Sequence, residues 1–257
     1  MRAPIAAIYW FARTADDLAD EGEQDGPARL GELARYRADL CAVVQNPQAD
    51  TAWPQVFAPL GRALHSHRLP AMLLHDLLDA FEQDTRMSQG RTWYADRAQL
   101  LDYCRRSANP IGRLLLHLYG ANDAAALRQS DQICTALQLI NFWQDLGLDA
   151  ARGRFYLPLQ DCAQHGVNQQ EIEARQHSEA LARLLAHEVD WARQTMLEGA
   201  PLAVSLPGRI GWELRLVVQG GLRILDKIEA LGFRTIEQRP KIRAWDALPM
   251  LWRALRM

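Results

Sequence analysis

The chain has 257 residues, of which 49% are hydrophobic, and its 31 acidic and 29 basic side chains leave a formal net charge of -2. This length is enough for a full hydrophobic core, and no change in composition marks a boundary, so we predict one domain over residues 1–257. The small net charge gives no electrostatic reason to expect nucleic acid as a partner.

Cysteine spacing and hydropathy indicate in which cellular compartment we expect the protein. The four cysteines form no CxxC or Cys/His pattern, which argues against a zinc site or a disulfide framework and is typical of the reducing cytosol. No apolar run approaches the ~18 to 20 uncharged residues of a transmembrane helix, and residues 1–7 lack the regions of a signal peptide. Two amphipathic stripes, LPAMLLHDLLDAF and ALPMLWRALRM, have a composition that suits lipid, although such stripes more often face a protein core. We therefore expect a cytoplasmic protein, soluble or at most peripheral to the inner face of the membrane.

Helical periodicity dominates the chain, and no segment shows the period-two alternation of a half-buried strand, so we predict an all-α fold. The first predicted helix has Pro4 in its first turn and ends near Gly22. Asn109 is expected to cap a helix that opens with Pro110, and Asn122 to cap the long helix after it. The other predicted helices cover 28–44, 55–65, 70–87, 97–106, 178–199, 208–231 and 241–257.

The first helix carries an acidic stripe within YWFARTADDLADEGE. Asp16 and Asp20 are four residues apart, so their carboxylates lie on one helical face and can bind a single hard cation. Asp17 and Glu21 form a second stripe beside them, and Arg13 precedes Asp16 by three residues.

A second acidic stripe occurs in QLINFWQDLGLDAARGRFYLP. Asp145 and Asp149 are again four apart, and Asn141 lies one turn before them, with Gln138 close to the next turn back. Such a column of oxygen ligands suits Mg²⁺, which keeps several waters and is commonly held by one or two carboxylates plus substrate phosphates. The donors that follow, at Arg152, Arg154 and Tyr156, are suited to the far side of an anion.

Each stripe also has a plainer interpretation. Aspartates spaced by four are common on the solvated face of a helix, and for either stripe alone this alternative carries equal weight. Both stripes, however, follow apolar runs typical of buried helices, where carboxylates without cations are disfavoured. If both faced one cavity, they would hold several divalent ions around one polyanion, for which a diphosphate is the natural candidate.

The two acidic strings resemble those of the squalene and phytoene synthase family of head-to-head prenyl synthases, and the resemblance covers almost the whole chain. It implies an isoprenoid-synthase-type helical bundle around a central cavity, with Mg²⁺ as cofactor and an isoprenoid diphosphate as substrate. It also implies that family members begin one helix earlier, so we expect this chain to lack the family's first helix. The implied catalytic residues are Asp16, Asp20, Asp145, Asp149 and Tyr103; the implied metal ligands are the same four aspartates with Asn141; and the implied substrate-binding residues are Tyr9, Arg13, Asp17, Ser107, Gln138, Asn141, Arg154 and Tyr156.

One departure from the family pattern indicates which branch of the family the chain resembles. Where carotenoid-type members carry a small apolar break of the form VAGTVG, this chain reads YCRRSANPIG, with Ser107 and Asn109 at that position. This feature resembles the hydroxysqualene synthase branch of bacterial hopanoid pathways, which takes presqualene diphosphate, expels diphosphate and adds water. Small polar residues would leave room for a ligand there, although two helices meeting at a capped corner need none.

Two other functions remain open at this stage. The same scaffold condenses two farnesyl or geranylgeranyl diphosphates to squalene, to a cyclopropyl diphosphate or to a carotenoid precursor in other family members. The alternative from a different functional class is a binding or assembly protein that keeps the fold and does not catalyse a reaction.

Overall fold

The computed structural model describes residues 1–21 and 24–257, and in these residues the prediction of an all-α fold is confirmed. The only extended pairing among the described residues is an isolated parallel bridge between Trp93 and Phe155. The helices are α1 (Arg2–Asp20), α2 (Gly26–Gln45), α3 (Pro54–His67), α4 (Met72–Gly90), α5 (Arg97–Ser107), α6 (Asn109–Tyr119), α7 (Ala124–Ala151), α8 (Leu159–His165), α9 (Gln169–Glu173), α10 (Glu179–Gly199), α11 (Pro201–Ser205), α12 (Gly208–Ala230) and α13 (Ala247–Leu255).

Three of the helix ends that differ from prediction concern a cap or a late start. Asp123, and not Asn122, caps α7, because its carboxylate accepts hydrogen bonds from two main-chain N–H groups of the first turn. Asn109 does not cap α6, because it is itself the first residue of that helix and is buried there. The last helix begins six residues later than predicted, after a 3₁₀ turn over Ala244–Asp246. The predicted end of the first helix near Gly22 lies outside the described residues.

The helices group into two compact units, of which the first contains Met1–Gly90 and Arg105–Asn122. Its core is formed where α1 packs on α2, α3 and α4. The rings of Phe11, Tyr36 and Phe57 are fully buried there, and the Tyr36 hydroxyl donates to the main-chain oxygen of Phe11 at 3.1 Å. Burial of each such side chain contributes about 1.5–3 kcal/mol, so these rings hold α1 in place.

The second unit contains Arg91–Cys104 and Asp123–Met257 and is built around α7. The long α7 packs on α10 and α12, and Trp143 is fully buried at its centre. A buried polar group lies within the same unit, where Arg97 donates to Asp161 at 2.8 Å and to Glu188 at 3.0 Å. Burial raises the pKa of Glu188 to about 8; the Arg97 charge opposes this rise and the Asp161 charge adds to it.

The two amphipathic stripes behave differently. Leu74, Leu77 and Leu78 of the first stripe are buried on α4, as expected for a core-facing helix. Leu248 and Trp252 of the second stripe are 76% and 54% exposed, so the expectation that this stripe faces the core is wrong. Within the described residues, no helix is both long and apolar enough to cross a bilayer.

Candidate active site

The first acidic stripe forms one column along α1. Because residues three and four apart share a helical face, Tyr9, Arg13, Asp16 and Asp20 lie one above another. A different face of α1 carries the buried residues that fix it in the core of the first unit. The Tyr9 ring is 58% exposed, so it is available to a ligand.

Arg13 compensates much of the charge of this stripe. Its guanidinium lies 3.1 Å from the Asp16 carboxylate, 2.6 Å from that of Asp17 and 2.9 Å from that of Glu21. The Asp17 charge is the largest cause of a raised pKa for Arg13. The Asp16 and Asp17 side chains are 40% and 39% exposed, so the expected burial of carboxylates is not observed on α1.

The second stripe lies on α7 within the second unit. Gln138, Asn141, Asp145 and Asp149 share one face, while the opposite side of the helix is buried in the core of that unit. Asn141 is exposed, and the Asp145 side chain retains 25% exposure. The stripe is therefore accessible but lies at the edge of a buried helix.

The acidic stripe of α7 is covered in part by the segment over residues 231–240. Gln144 is buried, and its side-chain amide donates to the main-chain oxygen of Pro240 at 2.7 Å. A Cβ atom at position 147 would overlap the carbonyl group of Ile236, so only glycine allows the segment this close. Gly147 is two residues from each aspartate, so this close approach lies on the opposite side of α7 from the stripe, and the segment reaches the stripe itself through Arg239.

Arg239 is a site residue that the sequence analysis missed. Its guanidinium forms two hydrogen bonds with the Asp145 carboxylate, one of them 3.1 Å long between Nη2 and Oδ2. The hydrogen bond to Asp145 is the largest cause of the raised pKa of Arg239, and the Asp149 charge contributes as well. Arg239 is 94 residues away from Asp145 in sequence, and no local pattern around it indicates this pairing.

Aromatic side chains cluster behind the α7 stripe in the second unit. The Tyr156 ring stacks on Phe142 with ring centres 3.8 Å apart, and Tyr103 lies 6.1 Å from each of them. Tyr94 adds a fourth ring, 5.8 Å from Tyr103. The structure thus brings together Tyr103 and Tyr156, which the sequence analysis singled out, and adds Phe142 and Tyr94, which it did not.

Main-chain hydrogen bonds join the two chain segments that carry part of this aromatic cluster. The segment that enters α5 and the segment that leaves α7 run side by side, and Leu159 N–H donates to Tyr94 O at 2.9 Å. At the bridge itself, the Trp93 and Phe155 rings stack with centres 4.3 Å apart. Arg154 is placed at the start of this pairing, where its N–H donates to the main-chain oxygen of Asp149 at 2.9 Å.

The polar corner between α5 and α6 lies in the first unit. Asn109 is buried with 7% exposure. The Ser107 hydroxyl oxygen is buried and forms no hydrogen bond with any described residue. Buried hydroxyl groups are normally hydrogen-bonded, so this oxygen is a natural partner for a water molecule or a ligand atom.

The donor set fits a hard divalent cation. Each stripe offers two carboxylates four residues apart, with the Asn141 amide oxygen added on α7, and these are ligands that Mg²⁺ accepts. Within residues 1–21 and 24–257, no three His, Cys, Asp or Glu side chains form a complete metal cage, and Mg²⁺ does not need one because substrate phosphates and water supply its other ligands. A cation at Asp145 would share that carboxylate with Arg239 or replace the guanidinium. The assignment of metal ligands, and the expectation that both stripes face one cavity, stay predictions.

Comparisons with known proteins identify the family to which the chain belongs. Residues 1–246 match the family described as squalene/phytoene synthase. A hydroxysqualene synthase of Rhodopseudomonas palustris is 31% identical over 228 residues, which are 88% of this chain and 74% of that protein. A 15-cis-phytoene synthase of Pantoea ananas is 26% identical over 97% of this chain and 81% of its own. The crystal structure of squalene synthase HpnC from Alicyclobacillus acidocaldarius superposes with a TM-score of 0.79 at 35% identity, over 88% of this chain and 82% of the other. The chain therefore belongs to the squalene/phytoene synthase family.

Proposed function

We propose that this protein is a Mg²⁺-dependent enzyme that converts presqualene diphosphate and water into hydroxysqualene and diphosphate. The observation that carries the proposal is the α7 stripe, in which Asp145 and Asp149 lie beside Arg239 and in front of buried aromatic rings. The similarity to the Rhodopseudomonas palustris hydroxysqualene synthase favours this reaction over others on the same scaffold. The polar corner at Ser107 supports the same choice.

The carboxylates of both stripes are the proposed anchors of the diphosphate. Asp16 and Asp20 on α1, and Asp145 and Asp149 on α7, would hold Mg²⁺, with Asn141 as an added oxygen ligand. When bound, the cation neutralises the charge that develops on the departing diphosphate. Released from Asp145, the Arg239 guanidinium would offer the diphosphate a planar set of donors that matches phosphate oxygens.

The aromatic cluster is the proposed stabiliser of the carbocation. The C–O bond to the diphosphate breaks with its electron pair on the diphosphate, and the positive charge stays on the hydrocarbon. The ring faces of Tyr103, Phe142 and Tyr156 then stabilise that charge by ~0.5–2 kcal/mol each. Because all three rings are buried, they would also exclude bulk water from the cation.

One water molecule completes the proposed reaction. Its oxygen bonds to the carbocation carbon and one of its protons passes to the departed diphosphate, so that the organic product is a neutral alcohol. The buried Ser107 hydroxyl, which has no hydrogen-bond partner among the described residues, is the group that would hold this water. Ser107 follows Tyr103 by four residues on α5, and the two side chains therefore share a helical face.

The test is incubation of purified protein with presqualene diphosphate and Mg²⁺ in water enriched in ¹⁸O. We expect diphosphate release and a C30 alcohol that carries the label, because the hydroxyl oxygen comes from the solvent. Recovery of only unreacted substrate from folded protein would rule the proposal out. An unlabelled alcohol would show that the oxygen comes from the diphosphate instead.

The second candidate function is condensation of two prenyl diphosphates. It is favoured by the match to the Pantoea ananas phytoene synthase over 97% of this chain. Incubation with farnesyl or geranylgeranyl diphosphate separates the two functions, since a condensing enzyme forms a C30 or C40 product from these substrates. A chain that binds these diphosphates and converts none of them would be a non-catalytic family member.

A further inference from the structure

The last helix exposes a continuous apolar surface. On α13 and the 3₁₀ turn before it, five large apolar side chains point outward, and their exposed fractions range from 41% for Leu251 to 76% for Leu248. At 100° per residue these side chains fall on one side of the helix. We name this surface the C-terminal apolar face, which consists of Trp245, Leu248, Leu251, Trp252 and Leu255.

The outward orientation of this face is fixed by contacts on the other side of the helix. The buried Ala254 and the side chain of Met250 point toward α12, where Gly220 leaves room for Met250. Asp246 is fully buried and bonded to Arg223 at 2.8 Å and Lys227 at 2.7 Å. The face therefore cannot turn inward without breaking a buried ion-pair network, which is a strongly destabilising change.

A second ion pair fixes the far end of α13. Arg253 lies 2.7 Å from Asp226 of α12. Because both ends of the segment are tied to α12, the apolar side chains are presented as a preformed surface.

Basic side chains border the C-terminal apolar face. The guanidinium of Arg243 lies 5.0 Å from the ring centre of Trp245, and that of Arg256 lies 3.8 Å from the ring centre of Trp252. Lys241 is also exposed. The only acidic side chain after Pro240 is Asp246, which is buried and ion-paired, so the charged side chains that this segment exposes are cationic.

We propose that the C-terminal apolar face binds the surface of an anionic lipid bilayer, with α13 lying in the plane of the interface. Tryptophan rings at the level of the headgroups, leucine side chains below them and arginines toward the lipid phosphates are the arrangement of an interfacial amphipathic helix. Apart from Trp245, the face lies beyond residue 246, where the family match ends. The inference does not depend on which reaction the enzyme performs.

A second copy of the chain fits this face less well. Pairing the face with itself would bring like charges of Arg243 and Arg256 together at its rim, and like charges in an interface are unfavourable. Five side chains are also far fewer than the about 20–30 residues a side of a standard protein interface. An anionic bilayer has neither difficulty, because it supplies negative charge and a hydrocarbon layer about 30 Å thick, deeper than these side chains reach.

The test is flotation of the full chain with vesicles of phosphatidylcholine alone or with added phosphatidylglycerol. We expect binding to the anionic vesicles, weaker binding at high salt, and little binding to pure phosphatidylcholine. The double variant Leu248→Ser/Trp252→Ser should lower the partition coefficient at least about tenfold, because it removes two large apolar side chains from the bilayer. The matched control is Leu197→Ser on α10, which removes an apolar side chain of 52% exposure outside the face and should bind as the wild type does.

Two further measurements keep the proposal falsifiable. Vesicles with brominated acyl chains should quench tryptophan fluorescence, and Trp252→Phe, which retains an aromatic ring, should keep binding but lose part of the quenching. Arg256→Glu should weaken binding to anionic vesicles, whereas Arg183→Glu on α10, with the same change in net charge, should not.

Absence of vesicle binding by the wild type would overturn the proposal. A wild type that sediments as a dimer without binding vesicles, beside a monomeric double variant, would assign the face to a second copy of the chain instead.

Discussion

At the scale of single residues, arginine guanidinium groups already engage carboxylates that the family resemblance assigns to metal ions. Arg13 contacts Asp16 in the first unit and Arg239 contacts Asp145 in the second. An ion pair of this kind is easily exchanged, because a partly exposed pair contributes only about 0–1 kcal/mol to stability. The arginines therefore compensate the aspartates without blocking them.

We predict that Asp145→Asn lowers the rate of diphosphate release by at least about a hundredfold, or about 2.7 kcal/mol in the activation free energy, since it removes a metal-binding charge. Its free energy of unfolding should change by less than about 1 kcal/mol, because only a partly exposed ion pair is removed. Turnover assays and urea unfolding measure the two quantities. The control is Asp190→Asn, an exposed aspartate on α10 outside the site, which should leave both unchanged. Wild-type turnover by Asp145→Asn would contradict a ligand role.

Glu188 should make stability fall as pH rises. Its folded-state pKa of about 8 lies above its usual value of 4.5, so between these values the folded protein binds a proton that the unfolded chain does not. The stabilisation from this group is fully present below about pH 4.5 and is lost as pH rises through about 8. The slope is at most about 1.4 kcal/mol per pH unit.

Urea unfolding between pH 5 and pH 8 tests this expectation. Glu188→Gln mimics the protonated carboxyl, so we expect it to flatten the dependence of the unfolding free energy on pH. The exposed Glu198 on the same helix provides the control, and Glu198→Gln should keep the wild-type slope. Equal slopes in wild type and Glu188→Gln would show that Glu188 does not carry the effect.

Contacts and burial of single residues were the features least predictable from the sequence. The spacing of Asp145 and Asp149 was sufficient to predict their shared face, because helix geometry is local. Arg239 was missed because its contact with Asp145 spans 94 residues, and a lone arginine before a proline carries no such information. The burial of the carboxylates was overestimated on α1, since apolar neighbours in sequence do not determine how far a helix edge is covered.

At the scale of elements, long helices were predictable and short ones were not. The apolar periodicity of α7 and α10 is strong enough to identify them from sequence. The helices α8, α9 and α11 have five to seven residues, which is too short for a periodic pattern. Helix caps shifted by one residue, as at Asp123, because adjacent Asn and Asp residues are equally good caps.

The close contact between α7 and the segment over residues 231–240 leads to a prediction for Gly147. Gly147→Ala should destabilise the protein by about 1–3 kcal/mol, because the added methyl group overlaps the Ile236 carbonyl group. It should also lower turnover, because displacement of this segment removes Arg239 from Asp145. Thermal unfolding and steady-state kinetics measure the two effects.

Gly31 on α2 is the matched control for this prediction. A Cβ atom there meets nothing within 4 Å, so Gly31→Ala should be neutral or stabilise the protein by up to about 1 kcal/mol through helix propensity. Equal stability changes in both variants would contradict a steric role for Gly147.

At the scale of the whole molecule, ligand binding should appear as added stability. If both stripes hold Mg²⁺ on a diphosphate, Mg²⁺ and inorganic diphosphate together should raise the thermal unfolding midpoint, whereas either alone should have little effect. At a ligand concentration a hundredfold above the dissociation constant, the gain is about 2.7 kcal/mol. Calorimetry of the wild type and of Asp16→Asn/Asp145→Asn measures it, with sulfate at equal ionic strength as the control. No shift with both ligands present would contradict the assignment of the aspartates.

Fold class was predictable at this scale, while the composition of the site was not. Helical period and length were enough for an all-α prediction, and two acidic strings were enough to identify the family. The aromatic cluster combines residues 94 and 103 with residues 142 and 156, from two stretches of chain that are distant in sequence. Such an assembly depends on tertiary packing, which sequence periodicity does not predict.

The main-chain pairing beside that cluster affects how the protein can be altered. Hydrogen bonds such as the one from Leu159 to Tyr94 involve no side-chain atoms, so they survive when a ring is exchanged for a smaller or larger one. Substitutions at Tyr94 or Tyr156 therefore change local volume while the path of the chain is retained. If the proposed function holds, this region is where selection, or an engineer, can adjust the length of the bound hydrocarbon without rebuilding the scaffold.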